Sequence, residues 1–141
     1  MPGKARDERG AAAVEFAIIA PLFFLLVFAI IDFGFGFHAW DGTQNAAREG
    51  ARVGAVTPDT GEIESRVRQS SSFLDQTVVG VSVQCAAEGS SSFGSCGWIE
   101  GDTVRVTVTY LYSYKTPLPT MAGFDEQLTM RSVAESWFEG V

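Results

Sequence analysis

Residues 11–31 read AAAVEFAIIAPLFFLLVFAII, and this run decides how the chain is built. Its 21 residues hold a single charge, Glu15. At about 1.5 Å of rise per residue the run makes roughly 31 Å of helix, against about 30 Å for the hydrocarbon core of a bilayer. Val, Leu, Ile and Phe fill thirteen of the eighteen positions from 14 to 31. At about −0.3 to −0.6 kcal/mol each they contribute roughly −4 to −8 kcal/mol to insertion, while an acid at mid-membrane costs only about +2.5 to +3.5. Glu15 lies near the edge of the run, so the helix is predicted to span a membrane in spite of it. Beyond Asp32, the residues Phe33, Phe35, Phe37 and Trp40 read as an aromatic belt at the far interface. A secretory signal peptide would share the basic start (Lys4, Arg6, Arg9) and the apolar run. The uncharged stretch 16–31 is long for that role, and no small-x-small cleavage site follows before Trp40. A buried core helix fits less well, because the rest of the chain is too small to surround it. Three basic residues precede the span, and Arg48 and Arg52 follow within 21 residues, which favours a cytoplasmic N-terminus.

Outward from the span, composition narrows the function. The chain has 141 residues, 46% hydrophobic and 19% charged, which excludes an ordinary disordered chain. Ten Lys and Arg against seventeen Asp and Glu give a net charge of −7, and no basic patch is present for nucleic acid. One His and two Cys supply little for a metal site, and none is expected, nor any cofactor. Nucleophile elbow, phosphate loop, HExxH and CxxC are all missing, so no catalytic residue is assigned and the chain is not read as an enzyme. Asp59, Glu62 and Glu64 read as a solvated helix start rather than a cation site, and Glu100 and Asp102 as flanks of a Gly turn.

The start of the span carries the sharpest motif. Arg9-Gly10-Ala11-Ala12-Ala13-Val14-Glu15-Phe16 joins a short charged leader, ending in Gly, to the apolar helix. A lone acid inside a span is expensive and points to a function. The positive end of the helix dipole offsets part of its cost. If the chain is cut after Gly10, the new amine of Ala11 lies four residues from Glu15 on the same helical face and can pair with it or with a neighbour's Glu15. The other reading is an interfacial Glu that snorkels to water. Pro21 frees the carbonyl of Ala17 and reads as a mild kink. The segment GAAAVEFAIIAP, with Pro21 six residues after Glu15, resembles the TadE-like pseudopilins of tight-adherence (Tad, Flp-type) pilus systems. Asn45-Ala46-Ala47-Arg48-Glu49-Gly50-Ala51-Arg52 resembles that family's Ala/Arg/Glu/Gly stretch. The likeness covers most of the chain and is specific over residues 10–56. Ala11, in place of the Phe or Met of typical type IVa pilins, argues against the ordinary pilus and type II secretion branches. The resemblance implies a processing site at Gly10 and Ala11 for a prepilin peptidase, and packing of Glu15 and Pro21 against sister helices. It implies as partners other pilin or pseudopilin subunits, that peptidase, an inner-membrane Tad platform with its ATPase, and the lipid bilayer.

Past the membrane, small residues recur at spacing four: Ala46, Gly50, Gly54 and Ala47, Ala51, Ala55. This face is expected to pack on the chain's own sheet; packing on other subunits is the second reading. Phe33-Gly34-Phe35-Gly36-Phe37 is a weak helical stretch, since each Gly costs about 1 kcal/mol, and is a candidate hinge or melted segment. Residues 57–61, TPDTG, break the chain, and Asp59 with Glu62 resembles a capping box. Ile63, Val67 and Leu74 then predict a short amphipathic helix over 60–74. Alternation predicts strands over 77–85 and, most strongly, 103–114, where Val104, Val106, Val108, Tyr110, Tyr112 and Tyr114 share a face. A last strand over 127–138 has a less decisive pattern, Leu128 and Met130 against Val133 and Trp137.

The expectation is an α+β chain: a leader over residues 1–10, a transmembrane helix over 11–37, and an extracytoplasmic headpiece over 38–141. In the headpiece the helix continues to about residue 56 and lies across an antiparallel sheet of about three strands. Cys85 and Cys96 enclose a Gly- and Ser-rich loop; outside the cytoplasmic membrane a disulfide is the natural reading, and two free buried thiols the other. Two functions follow. One is a pilin-like structural or assembly component. The other is a single-pass, membrane-anchored binding module whose helix only tethers.

Overall fold

The computed structural model describes residues 4–140, with side chains for residues 10–140. Most of the leader predicted over residues 1–10 therefore lies outside the described side chains. The first element, α1, is the helix Lys4–Gly54. The helix α2, Thr60–Ser70, follows, then the strands β1 (Val79–Ala86) and β2 (Thr103–Ser113), the single turn α3 (Leu118–Met121) and the strand β3 (Gln127–Trp137). The strands form one antiparallel sheet in the order β1-β2-β3. Close contacts divide the chain into two units, Met1–Phe35 with Tyr114–Glu126, and Gly36–Ser113 with Gln127–Val141.

In the second unit the core lies between α1, α2 and the inner face of the sheet. Thr57 and Pro58 end the first helix. Asp59 then caps α2, its carboxylate accepting the Gly61 N–H at 2.8 Å. The cap thus runs from Asp59 to the second helical residue, as Asx N-caps do. The expected helix over 60–74 stops at Ser70, because the hydroxyls of Ser70 and Ser71 donate to the Val67 carbonyl at 2.9 and 2.8 Å and end the ladder. Leu74 is still buried, now from the turn that follows.

β2 is the central strand, and its period is as clean as its sequence. Val104, Val106, Val108, Tyr110 and Tyr112 are buried. Tyr114 lies just past the strand end. Val79 pairs Tyr110 and Cys85 pairs Val104 on one side; Thr103 pairs Trp137 and Ser113 pairs Gln127 on the other. Full burial of an aliphatic side chain such as Ile63 or Val67 contributes about 1.5–3 kcal/mol.

The small-residue face of α1 packs within the chain. Ala46 and Ala47 are fully buried. A Cβ at Gly50 would lie 2.5 Å from Val67 Cγ2 and 3.0 Å from Val106 Cγ1, and one at Gly54 would lie 2.9 Å from Val104 Cγ1. The two glycines set how closely helix and sheet approach. The same closeness explains β3. Its inward residues are Met130, Ser132, Ala134 and Ser136, while Val133 and Trp137 face outward and are exposed. Ser132 and Thr43 share a buried hydroxyl–hydroxyl bond of 2.9 Å, and the Ser136 hydroxyl donates to the Ala51 carbonyl at 2.6 Å. Leu128 is half exposed, so the weak apolar pattern of this strand reflects a polar and small inner face.

The hinge expected at residues 33–37 is not melted. These residues are helical within α1, with no proline among them to interrupt the hydrogen-bond ladder. The boundary between the two units falls there all the same, between Phe35 and Gly36.

Candidate functional site: the amino-terminal helix and its clamp

In the first unit α1 holds the one described segment long and apolar enough to cross a membrane. Its most apolar 18-residue window has a mean hydropathy of 2.7, and none of that window is buried. Phe16 is 69% exposed and Ile18 73%. Side chains of this kind turned outward on a whole helix mark a surface made for lipid or for other apolar helices. The helix fits a single-pass membrane anchor.

Gly10, Ala11, Glu15 and Pro21 all lie on this exposed stretch. A Cβ at Gly10 would meet nothing within 4 Å. Ala11 and Glu15 are one helical turn apart on one face. Among the described residues Glu15 has no hydrogen-bonding or ion-pair partner, so its charge is open to a group from outside these residues. Pro21 sits inside the helix and cannot donate to the Ala17 carbonyl.

Asp32 is the residue that sequence reading missed. It is buried at the end of the apolar run, and its carboxylate binds a segment more than eighty residues away. Oδ1 accepts the N–H groups of Lys115 at 2.7 Å and Thr116 at 3.1 Å, and Oδ2 accepts the Thr116 hydroxyl. Hydrogen bonds to an ionised acceptor are the strong ones, and together they offset the cost of burying a carboxylate. The only signal was an acid closing an uncharged run, which is equally the mark of a span boundary.

In the second unit Cys85 and Cys96 are joined in a disulfide. Beside it the Cys85 N–H donates to the Gly94 carbonyl at 3.0 Å and the Gly94 N–H returns to the Cys85 carbonyl at 2.9 Å, folding the loop onto the sheet edge. A shallow groove of about 580 Å³ is lined by Arg48, Glu49, Arg52 and Arg66 among others. Arg52 grips Glu49 with two bonds of 2.8 and 2.9 Å, and Arg66 lies 3.5 Å away. The Arg52 hydrogen bond holds the Glu49 carboxyl below its usual range. Hydrogen bonds from Thr77 do the same for Asp75. Arg105 bridges to Glu135 across the strand pair at 2.6 Å and lies 3.4 Å over the Phe93 ring. Asp59, the first of the three acids at the start of α2, is occupied in capping. Among the described residues no three His, Cys, Asp or Glu are grouped to hold a metal ion.

No curated protein and no solved structure matches the chain. The family model described as TadE-like protein matches residues 10–52, from the glycine at the head of the apolar run to the small-residue face of α1. Over this helix, Gly10 to Arg52, the chain is similar to the TadE-like family.

Proposed function

We propose that the chain is a pilin-like structural or assembly component of Flp-type (type IVb, Tad) pilus biogenesis, processed by a prepilin peptidase and packed through its N-terminal helix. The observation that carries this reading is the TadE-like match over the segment that holds Gly10, Ala11, Glu15 and Pro21. In this reading the leader keeps the precursor in the cytoplasmic membrane, with the N-terminus inside and the headpiece outside. Cleavage after Gly10 frees the Ala11 amine. That amine and the exposed Glu15 of a neighbouring subunit form an ion pair in a medium of low dielectric, where such a pair strongly favours one axial register. The other partners are the inner-membrane Tad platform and the bilayer itself. The role is mechanical, with no catalytic step on this chain.

Two measurements test it. Mass spectrometry of the membrane form is expected to find Ala11 at the N-terminus; an intact leader in cells with an active peptidase contradicts processing. Glu15→Leu is expected to insert at least as well as the parent, since it removes a cost of about 2.5–3.5 kcal/mol at most, yet to lose piliation or incorporation. Unchanged piliation would favour the tethered binding module instead.

A further inference from the structure

The segment 116–124, TPLPTMAGF, holds no charge, with Lys115 before it and Asp125-Glu126 after it. It belongs to the same unit as the apolar half of α1. Asp32, the first charge after that half, clamps its start through Lys115 and Thr116. Met121 is 81% exposed and Phe124 65%, two apolar side chains at one tip beside an uncharged run. On α1 the partly covered residues just before Asp32 are Val27 and Phe28, one turn back on the same side, while Ile30 stays exposed. Most of the segment's N–H groups are also bonded from within. Two of its residues are prolines, which have no N–H. Leu118 donates to the Thr116 hydroxyl. Met121, Ala122, Gly123 and Phe124 donate to the carbonyls of Pro117, Leu118, Thr120 and Pro119 at 3.0–3.1 Å. Donors paired in this way lower the cost of entering a medium without water, and charges kept to the two ends favour stopping at its surface.

We infer that residues 116–124 form a membrane-seated loop, clamped by Asp32, whose Met121 and Phe124 side chains enter the leaflet on the headpiece side. The occupant of this apolar surface is lipid, because the adjoining surface of the same unit is the span itself. The inference rests on reading residues 11–31 as that span. The loop gives the molecule a second contact with the leaflet, fixed to the helix at Asp32, as interfacial apolar groups do elsewhere.

The test uses the full chain in vesicles of phosphatidylcholine and phosphatidylglycerol. Since both native cysteines are in the disulfide, one introduced thiol can be spin-labelled alone. Labels at Met121→Cys and Phe124→Cys are compared with Leu25→Cys in the span and Ser91→Cys at an exposed loop tip. The expected result is that labels at 121 and 124 are reached by oxygen and protected several-fold from a water-soluble nickel chelate, as at Leu25→Cys. If they match Ser91→Cys while Leu25→Cys reads as lipid, the seated loop is wrong and the span stands. If Leu25→Cys is itself open to the chelate, the span fails and the loop with it. Adding Asp32→Ala is expected to raise chelate access at Phe124→Cys several-fold; unchanged access overturns the clamp.

Discussion

Helix α1 has two halves of opposite logic. Before Phe35 its largest apolar side chains are the exposed ones, with Leu22 at 69%, and among the described residues none is buried before Asp32. After Gly36 most of the buried residues are small, Ala39, Gly42, Ala46, Ala47, Gly50, Ala51 and Gly54, with Thr43 and Val53 the larger ones. The exposed side chains of the first half suit an apolar medium outside the chain, where bulk serves and fit does not. In the second half the chain's own sheet supplies that medium, so closeness is favoured over bulk. The difference teaches that hydrophobicity along one helix does not rank its burial; the partner does.

The sharpest way to break this contrast is truncation in each half. Ile63→Ala, against the second half of α1, is expected to cost about 2–5 kcal/mol, read from urea unfolding of the detergent-solubilised chain. Leu25→Ala is expected to leave that transition in place, because no packed neighbour is lost. Equal effects at both positions would refute the division. Reduction of Cys85–Cys96 is next in size. It closes a loop of sequence separation 11 and is expected to lower stability of the second unit by about 3 kcal/mol, read with and without reductant. Glycine replacement then reverses sign between the halves. Gly50→Val drives its Cβ into Val67 and Val106 and is expected to cost about 1–3 kcal/mol. Gly34→Ala meets nothing within 4 Å and is expected to stabilise the helix by about 1 kcal/mol, seen as slower amide exchange around residue 34. The smallest effect is electrostatic. Glu49 has its carboxyl lowered by Arg52, so its contribution is present above the usual carboxylate pKa and lost as pH falls through the folded value. Glu49→Gln should flatten the acid limb of stability by less than about 1 kcal/mol, since the pair is at the surface.

These outcomes also bear on how much could be read before the fold was known. The apolar run, the capping Asp59 and the alternation of β2 are local patterns, and each appears where its period placed it. Strand β3 was only half readable, because its inner face is Ser132 and Ser136 rather than a row of aliphatics. Of the hinge or melted segment expected at residues 33–37, the melted reading misled for a related reason. The cost of two glycines is a propensity, and a propensity is outweighed by a ladder that stays intact on both sides. The Gly10, Ala11, Glu15 and Pro21 set came from order along the chain, and its function awaits the cleavage and piliation experiments. The Asp32 clamp joins residues 84 apart and leaves no period to detect.

What the amino-acid order alone determined is therefore the apolar run long enough to span, the helix starts, the strand periods and the likeness of the N-terminal helix. Each is a property of neighbours in the chain, whose hydropathy and backbone preference add up without reference to distant partners. Only the tertiary structure decided that Gly50 and Gly54 serve this chain's own sheet, that Ser132 and Ser136 face inward, and that Asp32 holds the segment 114–126. Those are choices of partner across long loops. They follow from shape and hydrogen-bond satisfaction in three dimensions, which no local sum contains.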